Sequence, residues 1–302
     1  MNRRRGFTLV ELVVAMAIFS ILLVMIVNVI DRTGTLSSGS IAKMEASRVA
    51  RECLDLISRD LAAPLLPYDR ASAKSLQFVA SPTDLQADYA NPHALFWQAP
   101  LSRVSGKGNL ALVGYFALRS VASDPKQNRF QLRRLHVDQS DAVNFDLLFS
   151  GTDNWYRTLA PEFAPASESP ENGESYKGWV ADGVLGIWVR CLDSRGGPIK
   201  LSGSGQALGS SFDSRKAFQA SRHRYPGSGF SALPSMVEVG LVTCSPSDIR
   251  RITKLPGTSS SGDPDKFYTD INGFVNEVQK DNPGAKTVAA YTRKIPILTA
   301  DP

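Results

Sequence analysis

The chain has 302 residues and carries 34 Lys+Arg against 29 Asp+Glu. Three of those cations, Arg3, Arg4 and Arg5, sit together at the amino terminus. Without them the balance is 31 against 29, too even for a nucleic-acid partner to be read from charge. Three cysteines are an odd number, so at least one thiol stays unpaired within the chain.

Residues 7–30 form an apolar run whose polar interruptions after Glu11 are Ser20 and Asn28. As a helix this run is about 36 Å long, enough for a ~30 Å hydrocarbon core, and it predicts a single membrane span. The arginines before it, with no comparable cluster just after, predict a cytoplasmic amino terminus and a translocated remainder. An ordinary secretory signal fits poorly, because the run is too long and Asp31-Arg32-Thr33-Gly34 is not a small-residue cleavage site. Glu11 stands out: a carboxylate within the hydrocarbon costs ~2.5–3.5 kcal/mol by insertion scales unless something pairs with it or it snorkels to the headgroups.

Residues 31–62 read as an amphipathic continuation of the same helix. Ile41, Met44, Val49, Cys53, Ile57 and Leu61 recur at helical spacing, and Pro64 is the first proline to stop it. Gly34 and Gly39 are weak points where it is expected to bend or melt. About 240 residues follow, enough for one large domain. Strands are predicted at 76–80, 110–119, 130–137, 184–192, 237–244 and 288–297, with a turn at 123–128 joining the second and third as a hairpin. Phe267, Ile271, Phe274 and Val278 predict a late helix between Pro264 and Pro283. Stretches 161–178, 194–234 and 256–264, rich in Pro, Gly, Ser or Glu, are predicted as long loops. The fold class expected is α+β: a long helix packed on an antiparallel sheet spanning 63–302.

Gly6-Phe7-Thr8-Leu9-Val10-Glu11 behind the three arginines resembles the processing and methylation motif of type IV prepilins and pseudopilins. The resemblance implies that residues 1–6 are a leader, cut between Gly6 and Phe7 by the prepilin peptidase. It implies N-methylation of Phe7 and pairing of Glu11 with the terminal amine of a neighbouring subunit. Two charges that are each costly in lipid offset one another when they meet. Val113-Gly114-Tyr115-Phe116-Ala117-Leu118, Leu132-Arg133-Arg134-Leu135 and Leu233-Pro234-Ser235-Met236-Val237-Glu238-Val239 resemble, more loosely, the hairpin and strand segments of J-type minor pseudopilins. The organisation is also similar to that of verrucomicrobial pseudopilin-like proteins known as cassette protein C.

The implied function is that of a minor pseudopilin at the start or tip of a periplasmic filament for type II-like secretion. Its implied partners are other minor and major pseudopilins and an inner-membrane assembly platform. A minor type IV pilus subunit for adhesion or DNA uptake is the alternative, and an anchored binding module a more distant one. No catalytic signature accompanies His93, His136 and His223, and no nucleotide-binding motif is present. Asp263, Asp265 and Asp270 invite a calcium site, but their spacing is not that of an EF-hand loop, and Asp263-Pro264 reads as a helix cap. Cys191 and Cys244, late in their predicted strands, would lie toward opposite ends of an antiparallel pair, which disfavours a bridge unless the strands are parallel or the register is shifted. Buried free thiols are therefore expected, Cys53 on the helix stripe included.

Overall fold

The computed structural model describes residues 9–62, 64, 76–86, 89, 91–101, 109–149, 154–163, 177–199, 211–214, 233–257 and 263–297. Helix α1 runs unbroken from Leu9–Leu61, about 80 Å, and stops just before Pro64. Gly34 and Gly39 do not interrupt it; both lie inside the helix.

Among the described residues, nine strands make two antiparallel sheets. The strands are β1 (Val79–Ala80), β2 (Ala94–Ala99), β3 (Ala111–Ser120), β4 (Arg129–Asp138), β5 (Trp179–Asp182), β6 (Val184–Leu192), β7 (Phe212–Asp213), β8 (Met236–Thr243) and β9 (Ala289–Pro296). The larger sheet has the order β5-β4-β3-β2-β1-β7, and the smaller β6-β8-β9. Short helices α2 (Ala142–Phe145), α3 (Trp155–Leu159) and α4 (Pro246–Ile249) precede the longer α5 (Phe267–Asp281).

Alternation along the strands fixes the layers. On β3, Ala111, Val113, Tyr115 and Ala117 join the inner faces of β6 and β8 and the second half of α1 in one core. Their neighbours Leu112, Phe116 and Leu118 point the other way, under Phe145, Trp155, Tyr156 and Leu159 of α2 and α3. The outer face of the small sheet is covered by α5 through Phe267, Ile271, Phe274 and Val278. The central strands are thus buried on both faces, β2, β3, β6 and β8 reading as nearly continuous buried runs, whereas the edge strands β5 and β9 are largely exposed.

The α+β architecture expected from the sequence is present, and the 123–128 link closes the β3–β4 hairpin with Asp124 capping a 3-10 turn at Pro125–Gln127. Asp263 likewise caps the turn Pro264–Lys266, its Oδ1 accepting from the Asp265 amide at 3.0 Å. Several expectations need correcting. β2, β5 and β7 have no counterpart among the predicted strands, and 76–80 yields only the two residues of β1. The 194–234 stretch is not all loop: it supplies β7 and a bridge between Leu192 and Pro198. Residues 161–163 belong to the 3-10 turn Ala160–Phe163, and the rest of the predicted 161–178 loop up to residue 176 lies outside the described residues.

Two glycines are demanded by space. A Cβ on Gly114 would come within 2.3 Å of the Phe96 ring on the facing strand β2. Gly183, at φ 80° between β5 and β6, would push one to 2.4 Å from the Cys244 carbonyl oxygen.

Candidate functional site: an exposed apolar helix and its dock

From Leu9 to Asp31, α1 has a mean hydropathy of 2.9, and none of it is buried against the described residues of the domain. Large side chains point outward on every side, Phe19 and Ile30 both 65% exposed. A helix apolar all round and covered by nothing has the character of one made for lipid or for other apolar helices. Its polar side chains behave accordingly. The Ser20 hydroxyl donates to the Met16 carbonyl at 2.8 Å, and Thr33 donates to Val29 at 2.7 Å, so neither needs water. Glu11 sits in the first turn, where the helix dipole favours an anion. Arg3, Arg4, Arg5, Gly6 and Phe7 lie outside the described residues.

The second half of the helix is built differently. Ala46, Ala50, Cys53, Leu54, Ile57 and Leu61 are buried, whereas Ile41 and Met44, expected on the buried stripe, are 62% and 71% exposed. Small residues at the first contacts let α1 approach β8 closely, and the Thr243 hydroxyl donates to the Ala46 carbonyl at 3.1 Å. The far end is held by Asp60, which is 5% exposed. Its Oδ2 accepts from the Tyr115 hydroxyl at 2.6 Å and from Arg134 Nε at 2.7 Å. Burial, then the Asp60 charge, pushes the Tyr115 hydroxyl well above its ordinary pKa, so it remains a donor. Arg293 of β9 reaches Asp55 between these points. Sequence reading missed this clamp, because Asp60, Tyr115 and Arg134 come from three separate elements and no local spacing joins them.

A second buried pair holds α5. Arg190 Nη2 meets Glu238 at 2.7 Å, while Nη1 donates to the Pro264 carbonyl at 2.8 Å and the guanidinium covers the Phe267 ring at 4.7 Å. Tyr268 donates to the same Glu238.

The histidines and cysteines are structural where they are described. His93 Nδ1 accepts the Val189 amide at 2.8 Å, and burial lowers the imidazole pKa to about 4. His136 Nε2 contacts the Leu101 carbonyl at 3.1 Å, and His223 lies outside the described residues. Cys53, Cys191 and Cys244 are free and buried, and burial pushes the Cys53 thiol up to about 12. Among the described residues no group of three or more His, Cys, Asp or Glu is placed to hold a metal ion.

Residues 1–27 match the family model described as the prokaryotic N-terminal methylation motif. The chain is type IV pilin-like. The match takes in residues 1–8 and most of the exposed apolar helix, so the motif coincides with the part of the helix that the described residues leave uncovered. It marks either a pseudopilin or a pilus subunit, processed by prepilin peptidase and assembled with other pilin-like subunits in a membrane machinery. No curated protein and no solved structure gives a match to the chain.

Proposed function

We propose that this chain is a minor pseudopilin, a non-enzymatic subunit that starts or caps a type II secretion-like pseudopilus. The observation that carries the reading is the coincidence of the methylation motif with a helix that is apolar on every side and uncovered from Leu9 to Asp31. A four-layered domain on the second half of that helix supports a terminal position. Such a head is readily placed at a filament tip and crowds repeated packing along a shaft.

In this reading the chain inserts with residues 1–6 inside and its domain outside. Peptidase cleavage after Gly6 creates a cationic, methylated amine on Phe7. The helix then leaves the bilayer laterally into a bundle of like helices, apolar side chains replacing lipid contacts. Glu11 neutralises a neighbouring subunit's amine and so selects one axial stagger, since a misplaced charge would stay unpaired in an apolar bundle. The work of extraction belongs to a separate cytoplasmic ATPase.

The test is Glu11→Gln and Glu11→Leu in cells, with membrane insertion and filament incorporation read separately. The reading predicts retained insertion and lost incorporation for both. Normal incorporation of both variants would remove the pairing role. The alternative of a minor type IV pilus subunit uses the same helix and differs in what co-purifies with it.

A further inference from the structure

The end of the domain from which α1 emerges is a plate assembled from four distant segments. Asn128 at the hairpin tip donates to the Ile249 and Ile252 carbonyls at 3.1 and 2.7 Å, tying the β3–β4 turn to the chain after α4. Asn282, at the end of α5, accepts the Thr253 amide at 2.9 Å. Asp248 Oδ2 accepts the Thr287 amide at 2.7 Å, and Arg251 donates to the Gly284 carbonyl at 3.2 Å. The Thr243–Ala46 bond places the plate beside the point where α1 first docks.

The exposed surface of this plate is basic. Lys43, Lys126, Arg250, Arg251, Lys254 and Lys286 are all exposed on it. Its acids are largely engaged: Asp124 caps the hairpin turn, Asp281 pairs with Lys254 at 3.4 Å, and Asp248 is buried against Arg251 and Thr287. Glu45 adds one exposed acid, while the half-buried Arg119 and Arg129 add charge at the hairpin root. Val121, 40% exposed, is an apolar residue beside the same turn.

Height along the helix decides what this surface faces. Arg251 and Lys286 line a cleft whose opposite wall is Ser38, Ser40 and Lys43 of α1. The apolar span ends at Asp31, so the level of Ser38 is about 10 Å above it. The headgroup layer on each side of a bilayer accounts for about 5–7 Å of that distance. The remaining gap is shorter than the ~8 Å screening length at physiological salt.

We propose that this plate docks on anionic phospholipid headgroups of the membrane that α1 crosses, holding the domain upright before assembly. The proposal rests on the reading of α1 as a membrane anchor. Juxtamembrane lysines and arginines gain electrostatic attraction to an anionic surface, and the cleft cations Lys43, Arg251 and Lys286, at the level of Ser38, lie within range. Lateral extraction of the helix would then also lift the plate off its lipids.

The test uses the full chain, with a fluorophore on Ser247→Cys in the cleft, reconstituted in vesicles carrying a headgroup quencher. Vesicles of phosphatidylcholine alone are compared with vesicles that also contain phosphatidylglycerol. Docking predicts at least a rough doubling of quenching with the anionic lipid. It also predicts loss of that gain as salt rises from about 0.1 M to about 1 M, where screening shortens from ~10 Å to ~3 Å. Lys126→Glu/Arg250→Glu/Lys286→Glu should abolish the gain while leaving the unfolding midpoint unchanged. Quenching indifferent to lipid charge and salt would overturn the docking while the anchor stands, provided the protein floats with neutral vesicles. Failure to float would sink the anchor and the docking together.

Discussion

The two halves of α1 are one continuous helix folded for two different surroundings. From Leu9 to Asp31 apolar side chains project all round and none of the described residues covers them. From Ala46 to Leu61 only one stripe is apolar, and that stripe is buried in the domain core, while Arg48 and Glu52 pair on the outer side. The first half makes no buried contact with the described residues of the domain, and under the proposed function its partners are lipid and other helices. The second half is part of the domain and is clamped there by Asp60. Substitutions in the two halves should therefore separate assembly from stability.

The largest separation is expected at Glu11. Glu11→Leu should leave the unfolding midpoint of the detergent-solubilised protein unchanged and abolish incorporation into a filament, scored by shearing and sedimentation. In the other half, Asp60→Ala should do the reverse. It strips a buried carboxylate from Arg134 and Tyr115, and loss of one partner from a buried pair costs about 3–5 kcal/mol. Chemical denaturation would register that cost, while membrane insertion, set by residues 9–31, should be unaffected.

Acid titration probes the domain alone. His93 is held neutral, its pKa about 4 in the folded state against 6.5 when exposed. The unfolded chain therefore binds the extra proton first, and stability is full above about pH 6.5, then falls as pH drops toward 4. At about 1.4 kcal/mol per unit the loss reaches about 3 kcal/mol, and His93→Gln should flatten that part of the pH profile. The smallest effect is expected from Gly114→Ala. Its methyl group must displace the Phe96 ring, an overpacking that costs about 1–3 kcal/mol in the same denaturation experiment.

The parts of the fold that showed in the sequence are those with a one-dimensional signature. The apolar span, the proline-terminated helix and the strands β3, β4, β6, β8 and β9 all carried their period or composition openly. β2 did not, because Ala-Leu-Phe-Trp-Gln-Ala is buried on both faces and shows no polar alternation between Pro92 and Pro100. β5 is short and largely outward-facing, and β7 is two residues inside a Gly/Ser-rich stretch. The docking stripe was misplaced at its start because Ala46 and Ala50 are weak hydrophobes that earn burial by being small. Ile41 and Met44, stronger in the sequence, stay exposed below the dock. The site itself divides in the same way. Gly6, Phe7 and Glu11 lie within six residues, inside the segment that the methylation-motif model matches, whereas the Asp60 clamp and the basic plate exist only after distant segments meet.

The measurement that bears most directly on the central claim is intact-protein and amino-terminal peptide mass spectrometry of the native membrane form. A chain beginning at N-methylated Phe7 is the result predicted. A chain beginning at Met1, in cells with an active prepilin peptidase, would contradict it and leave the apolar helix as an anchor only.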